Sequence, residues 1–93
     1  MPLQSFRCID TESLYQGKRV ARWVNIERVA LQKLTQLAVS GRLDDLRRPP
    51  GTCLERLRGD RTGQYSIRIN DQWRVCFVWA DDGAHGVEIV DYH

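Results

Sequence analysis

The stretch that decides the fold is Leu54–Phe77, LERLRGDRTGQYSIRINDQWRVCF. Within it Tyr65, Ile67 and Ile69 alternate with Ser66 and Arg68. After a turn at Asn70 and Asp71, the residues Trp73, Val75 and Phe77, continued by Trp79, alternate with Arg74, Cys76 and Val78. A period of two sends successive side chains to opposite faces of a strand. Two such strands joined by a short turn make an antiparallel hairpin with one apolar face that another element must cover. The opposite face carries Arg68 and Arg74, whose backbone a sheet holds in place.

Upstream, Cys53–Arg58 is a candidate strand, and Gly59–Gly63 forms a loop before Gln64–Ile69. Pro49, Pro50 and Gly51 are a breaker that neither a helix nor a central strand crosses, and before it the period is 3.6. Ile26, Val29, Ala30, Leu34, Leu37 and Ala38 recur at helical spacing after Asn25, an N-cap residue, with Glu27, Arg28, Gln32 and Gln36 on the polar face. Ser40 and Gly41 end this helix, and Leu43–Leu46 adds one turn. At the N-terminus Leu3–Ile9 reads as a first strand. Asp10, Thr11 and Glu12 then cap a brief helix over Ser13–Gln16, stopped by Gly17. Downstream, Asp82 and Gly83 lead into a last strand, Val87–Tyr92. The expected architecture is α+β, one domain spanning residues 1–93, with helices first and then an antiparallel meander covered on one face.

Ninety-three residues with 42% hydrophobic residues and three Trp suffice for one core and no second domain. No run approaches the roughly 18 apolar residues of a membrane helix, and MPLQSFRCID lacks the apolar centre of a secretion signal, so a cytoplasmic protein without membrane partners is expected. Cys8, Cys53 and Cys76 are odd in number and widely spaced. They read as ordinary thiols in a reducing compartment, with neither structural zinc nor a cofactor expected. The net charge is only +2, but residues 47–74 hold seven Arg against Glu55, Asp60 and Asp71, while residues 80–93 hold four acids and no Lys or Arg. A basic stripe attracts polyphosphates, although an Arg-rich surface also simply solubilises a small domain.

The chemistry is sought among fixed cations. Arg74 projects from the face opposite Trp73 and Phe77 and can aim a planar donor fork at a phosphate, or else pair across strands with Asp71 or Glu88. Arg58 ends its strand just before Gly59, where a loop approaches a ligand closely. The chain closes on Asp91, Tyr92 and His93, a carboxylate, a phenol and an imidazole. Strand alternation sends Asp91 and His93 one way and Tyr92 the other, and a terminal His93 also reads as a solvated tail. His85, between Gly83 and Gly86 and without a partner in sequence, reads as a loop residue outside the site. There is no phosphate-loop, dinucleotide or metalloprotease motif. Phosphodiester chemistry without a metal remains open where the substrate carries its own nucleophile, as RNA does in its 2′-hydroxyl.

The pattern LxGxRxGxxSIRxxxxWRxxF across Leu57–Phe77, the preceding long helix with its Gly and Pro break, and the terminal VDYH together resemble the HigB group of the RelE/ParE toxin superfamily, over nearly the whole chain. The resemblance implies a microbial-ribonuclease-like sheet and the toxin of a type II toxin–antitoxin system. Such a toxin enters the ribosomal A site and cleaves mRNA, and a HigA-like helix-turn-helix antitoxin holds it inactive; operator DNA is reached only through that antitoxin. It further implies RNA cleavage by the positions Arg58, Arg74, Asp91, Tyr92 and His93. Glu55 stands where one family member has a His, and joins them as a candidate proton acceptor. Two other readings follow from the same resemblance: a non-catalytic ParE-like inhibitor of DNA gyrase, or a module acting mainly with its antitoxin in operator autoregulation.

Overall fold

The computed structural model describes residues 3–47 and 51–91. Alternation in the decisive stretch becomes one antiparallel sheet in the order β1 (Glu55–Arg56), β2 (Tyr65–Arg68), β3 (Trp73–Ala80), β4 (Gly83–Asp91). The register pairs Ile67 with Val75 and Val75 with Ile89, which places these side chains on one face. Against that face pack the helices α1 (Ile9–Tyr15) and α2 (Glu27–Val39). The core between the layers takes Ala30, Leu34 and Leu37 from α2 and Ile67, Val75, Phe77 and Val87 from the sheet, all fully buried. Removing a side chain such as Leu34 or Leu37 from water is worth about 1.5–3 kcal/mol, so the apolar stripe of α2 holds it to the sheet. Trp23, also fully buried, meets Trp73 edge-on with ring centroids 6.2 Å apart.

The main helix lies where its periodicity predicts, but its cap differs. Ile26, not Asn25, occupies the N-cap, with no side-chain hydrogen bond. Burial of Ile26 against the core outweighs the gain of a polar cap. The expected turn over Leu43–Leu46 is present as a 3₁₀ helix.

Leu3–Ile9 does not form a strand. The segment makes only two isolated parallel bridges to β4, Leu3 with Ala84 and Phe6 with Val87. Helix α1 then begins at Ile9, earlier than expected, and ends at Tyr15 ahead of Gly17, whose φ is 90°. The physical reason lies in β4, which carries a β-bulge. Between the pairs Cys76–Glu88 and Val78–His85, β4 has one more residue than β3, and Gly86 there adopts φ 59°. A bulge twists an edge strand and interrupts any continuous ladder along it. It also keeps Ala84, Val87 and Ile89 on the core side despite their uneven spacing. Thr11 of α1 locks the arrangement, its buried hydroxyl accepting the Ile89 N–H at 3.0 Å.

The last strand starts at Gly83, not Val87, so His85 belongs to β4, and its Nε2 lies 2.6 Å from Asp82 Oδ1. This contact holds the Asp82 carboxyl below its usual range, chiefly through the hydrogen bond. The strand expected at Cys53–Arg58 shrinks to Glu55–Arg56. Cys53 breaks the extended run with φ 49°, and Gly59 turns the chain at φ 65°. On either side of β1 single backbone bonds continue the pairing, Leu57 N–H to the Gln64 carbonyl and Arg68 N–H to the Thr52 carbonyl.

A candidate phosphodiester site on the open sheet face

The register that builds the core also composes the opposite face. Glu55 pairs with Ser66, Ser66 with Cys76 and Cys76 with Glu88, so these four form one row across all four strands. Beside this row Arg68 pairs with Arg74, and Arg74 with Val90. Directly opposed guanidiniums repel. Each is therefore matched to its own carboxylate, Arg68 to Asp71 and Arg74 to Glu55.

Arg74 is the most constrained of the predicted site residues. Its side chain is only 11% exposed. Nε–H donates to Ser66 Oγ at 2.7 Å and Nη2 donates to the Cys53 carbonyl at 2.5 Å, with Glu55 Oε1 3.4 Å from the same nitrogen. These contacts use the Nε/Nη2 edge of the guanidinium. Nη1, at the far side, has no hydrogen bond among the described residues. Carbonyl and hydroxyl acceptors orient a charged donor without neutralising it, and they leave a fork for an anion.

Glu55 is half exposed and stands next to that fork. Arg58 is exposed where β1 gives way to the Gly59–Arg61 turn; its carbonyl accepts from Arg61 N–H at 3.3 Å, and its side chain makes no hydrogen bond or ion pair among the described residues. Asp91 lies elsewhere. It pairs with Trp73, which assigns it to the helix-covered face at the sheet's end, and its Oδ2 accepts from Gln72 Nε2 at 3.0 Å. Among the predicted positions the sheet thus brings Glu55 to Arg74 and separates Asp91 from both. Tyr92 and His93 lie outside the described residues.

Two residues without an assigned role in the sequence reading belong to this face. Ser66 is fully buried and is the acceptor for Arg74 Nε. Arg61 folds back from the loop so that Nη1 reaches Glu88 Oε2 at 3.0 Å and Gln64 Oε1 at 3.1 Å, while Arg7 lies 3.8 Å from the same Glu88 oxygen. Both stood in the Leu57–Phe77 pattern that carries the family resemblance, Arg61 as the Arg between two glycines and Ser66 opening Ser-Ile-Arg, so the motif carried a signal that local chemistry did not. Between them Cys76 is fully buried, and burial pushes its thiol up to about 11 despite the opposing pull of Arg61. At neutral pH it is a packed thiol and no nucleophile.

This face, a tethered guanidinium beside a carboxylate on the side of the sheet opposite the helices, coincides with a match over residues 5–93 to the family described as HigB-like toxin, the RelE-like toxin of a type II toxin–antitoxin system. The chain belongs to that family. A Vibrio cholerae protein named Toxin HigB-1 is 38% identical over 72 residues, covering 75% of this chain and 76% of that one. An uncharacterized Haemophilus influenzae protein is 34% identical over 58 residues, 62% of this chain and 57% of its own. Among solved structures, the YoeB-YefM complex from Staphylococcus aureus superposes with a TM-score of 0.61 at 20% identity, over 100% of this chain and 99% of the other. The YoeB dimer from the same organism gives 0.55 at 19% identity with the same coverage. These likenesses establish the RelE-like fold, and the family membership makes the chain a toxin of the toxin–antitoxin class. No helix among the described residues is long and apolar enough to cross a membrane.

Proposed function

We propose that this HigB-like toxin is a metal-independent endoribonuclease that cuts mRNA on the ribosome. The observation that carries the reading is Arg74, fixed by Ser66 and Cys53 with no hydrogen bond at Nη1 among the described residues, beside the Glu55 carboxylate on the sheet face opposite the helices. Oxygen acceptors hold the cation in advance of substrate, and such preorganised donors are typically worth ~3 kcal/mol each in a transition state that accumulates negative charge.

In the proposed reaction Glu55 accepts the proton of a ribose 2′-hydroxyl, whose oxygen attacks the adjacent phosphorus. Arg74, with the exposed Arg58, stabilises the pentacoordinate dianion. The P–O5′ bond breaks and Tyr92 or His93 supplies the proton to the leaving 5′-oxygen, giving a 2′,3′-cyclic phosphate and a 5′-hydroxyl. Asp91, on the other face beside Trp73, is not the base in this scheme. With Glu55 as the proton acceptor, the acid role falls to Tyr92 or His93. One carboxylate and few other groups make a modest free enzyme, and the ribosome supplies the orientation of the message. A cognate HigA-like helix-turn-helix antitoxin, through which operator DNA is reached, restrains the toxin in the cytoplasm.

The test is the product. Message cut in a reconstituted translation reaction carries 2′,3′-cyclic phosphate at the new 3′ ends. An intact message together with blocked DNA supercoiling by gyrase would replace this reading with that of a gyrase inhibitor.

A further inference from the structure

We infer that Ser66 is a positioning residue for Arg74, its buried hydroxyl fixing the plane of the guanidinium that meets the scissile phosphate. The inference rests on the ribonuclease reading of Arg74 and names what holds that side chain ready. Ser66 is fully buried on the sheet's open face, and its Oγ accepts from Arg74 Nε at 2.7 Å. Register makes the contact possible, because Arg74 lies directly opposite Arg68, two residues beyond Ser66 on the same face, within diagonal reach.

The Nε bond alone leaves the guanidinium free to tilt. A second acceptor on the same edge, the Cys53 carbonyl at 2.5 Å from Nη2, removes that freedom. Cys53 presents this carbonyl from a backbone at φ 49°, a conformation a side-chain-bearing residue rarely adopts. Both acceptors are uncharged and orient the guanidinium without neutralising it; its one ion pair among the described residues is with the exposed Glu55, 3.4 Å from Nη2, which leaves Nη1 for an anion. A larger apolar residue at position 66 would displace Arg74, and alanine would leave Nε–H without an acceptor in a side chain only 11% exposed.

The experiment combines cleavage kinetics on ribosome-bound mRNA with the ¹⁵N-detected Nε–Hε resonance of Arg74, for wild type, Ser66→Ala, Ser66→Thr and Arg74→Ala. A positioning role predicts that Ser66→Ala lowers kcat about tenfold to a hundredfold at nearly constant KM. It also predicts that this variant loses the slowly exchanging Arg74 Hε, while Ser66→Thr keeps both. Unchanged kcat in Ser66→Ala, where Arg74→Ala abolishes cleavage, overturns the positioning role alone. A wild-type protein that leaves the message intact overturns the ribonuclease reading beneath it. Should Ser66→Ala fail to fold, the wild-type resonance decides, since rapid exchange of Arg74 Hε overturns the inference and protection supports it.

Discussion

Replacing Arg74 by lysine keeps the charge and removes the fork, which separates the geometry of this site from its electrostatics. In the native site one guanidinium serves Ser66 Oγ at 2.7 Å, the Cys53 carbonyl at 2.5 Å and Glu55 at 3.4 Å. Lysine offers one nitrogen where Arg74 meets the two fixed acceptors with two, Nε and Nη2, so the ammonium cannot occupy both positions at once. The Glu55 pair matters little to stability, because that carboxylate is half exposed and such pairs contribute about 0–1 kcal/mol, most of which lysine keeps. Ser66 Oγ is fully buried, and a buried group left unpaired costs about 1–3 kcal/mol. Arg74→Lys is therefore expected to lose about 1–2 kcal/mol, read as a drop of about 1–2 M in the urea midpoint at an m-value near ~1 kcal/mol/M. Cleavage on ribosomes should fall about a hundredfold, the value of one preorganised donor. Equilibrium urea melts and single-turnover cleavage measure the two effects. A lysine variant with wild-type midpoint and rate would show that charge alone suffices and refute the role given to the fork.

Glu55→Gln should lower kcat about a hundredfold or more if Glu55 takes the 2′-hydroxyl proton; a fall in KM at unchanged kcat would instead make Glu55 an anion that substrate displaces from Arg74. Cys53→Gly keeps the carbonyl on Arg74 while relieving φ 49°, so a gain of about 0.5–1 kcal/mol in urea melts is expected, and a lower midpoint would contradict it. Cys76 has its folded pKa raised to about 11 from 9.0, so its contribution is complete below pH 9 and lost as the unfolded thiol ionises first between pH 9 and 11. The loss is on the order of 1–2 kcal/mol after allowing for solvent screening, and the alkaline fall in stability should be shallower in Cys76→Ala than in wild type.

Much of this arrangement was legible because it follows from a period of two. Trp73, Val75 and Phe77 had to share a face, which left Arg74 on the other, and the 3.6-residue stripe of Ile26–Ala38 had to cover the apolar side. What single-strand alternation omits is register. Arg74 was expected to meet Asp71 or Glu88 if it paired at all, yet Asp71 goes to Arg68 and Glu88 to Arg61, and Glu55 reaches Arg74 from two strands away. Register also decides that Asp91 pairs with Trp73 and so leaves the face of Arg74, a parity invisible until both strands are aligned. The bulge at Gly86 and the left-handed backbone of Cys53 are tertiary adjustments with weak local signatures. One breaks the ladder the N-terminal segment was expected to make, and the other both shortens β1 and supplies an acceptor to the site. Ser66 carried no chemical signal of its own, since a small hydroxyl in a strand becomes informative only when an arginine is found against it.

The central claim is that Arg74 acts on RNA in the ribosome. The most direct test is primer extension on a defined mRNA in a purified translation system, with wild type and Arg74→Ala, each with and without ribosomes. New 5′ ends are expected with wild type that require ribosomes and disappear in Arg74→Ala. Equal cutting by the variant, or rapid cutting of free RNA without ribosomes, would contradict it.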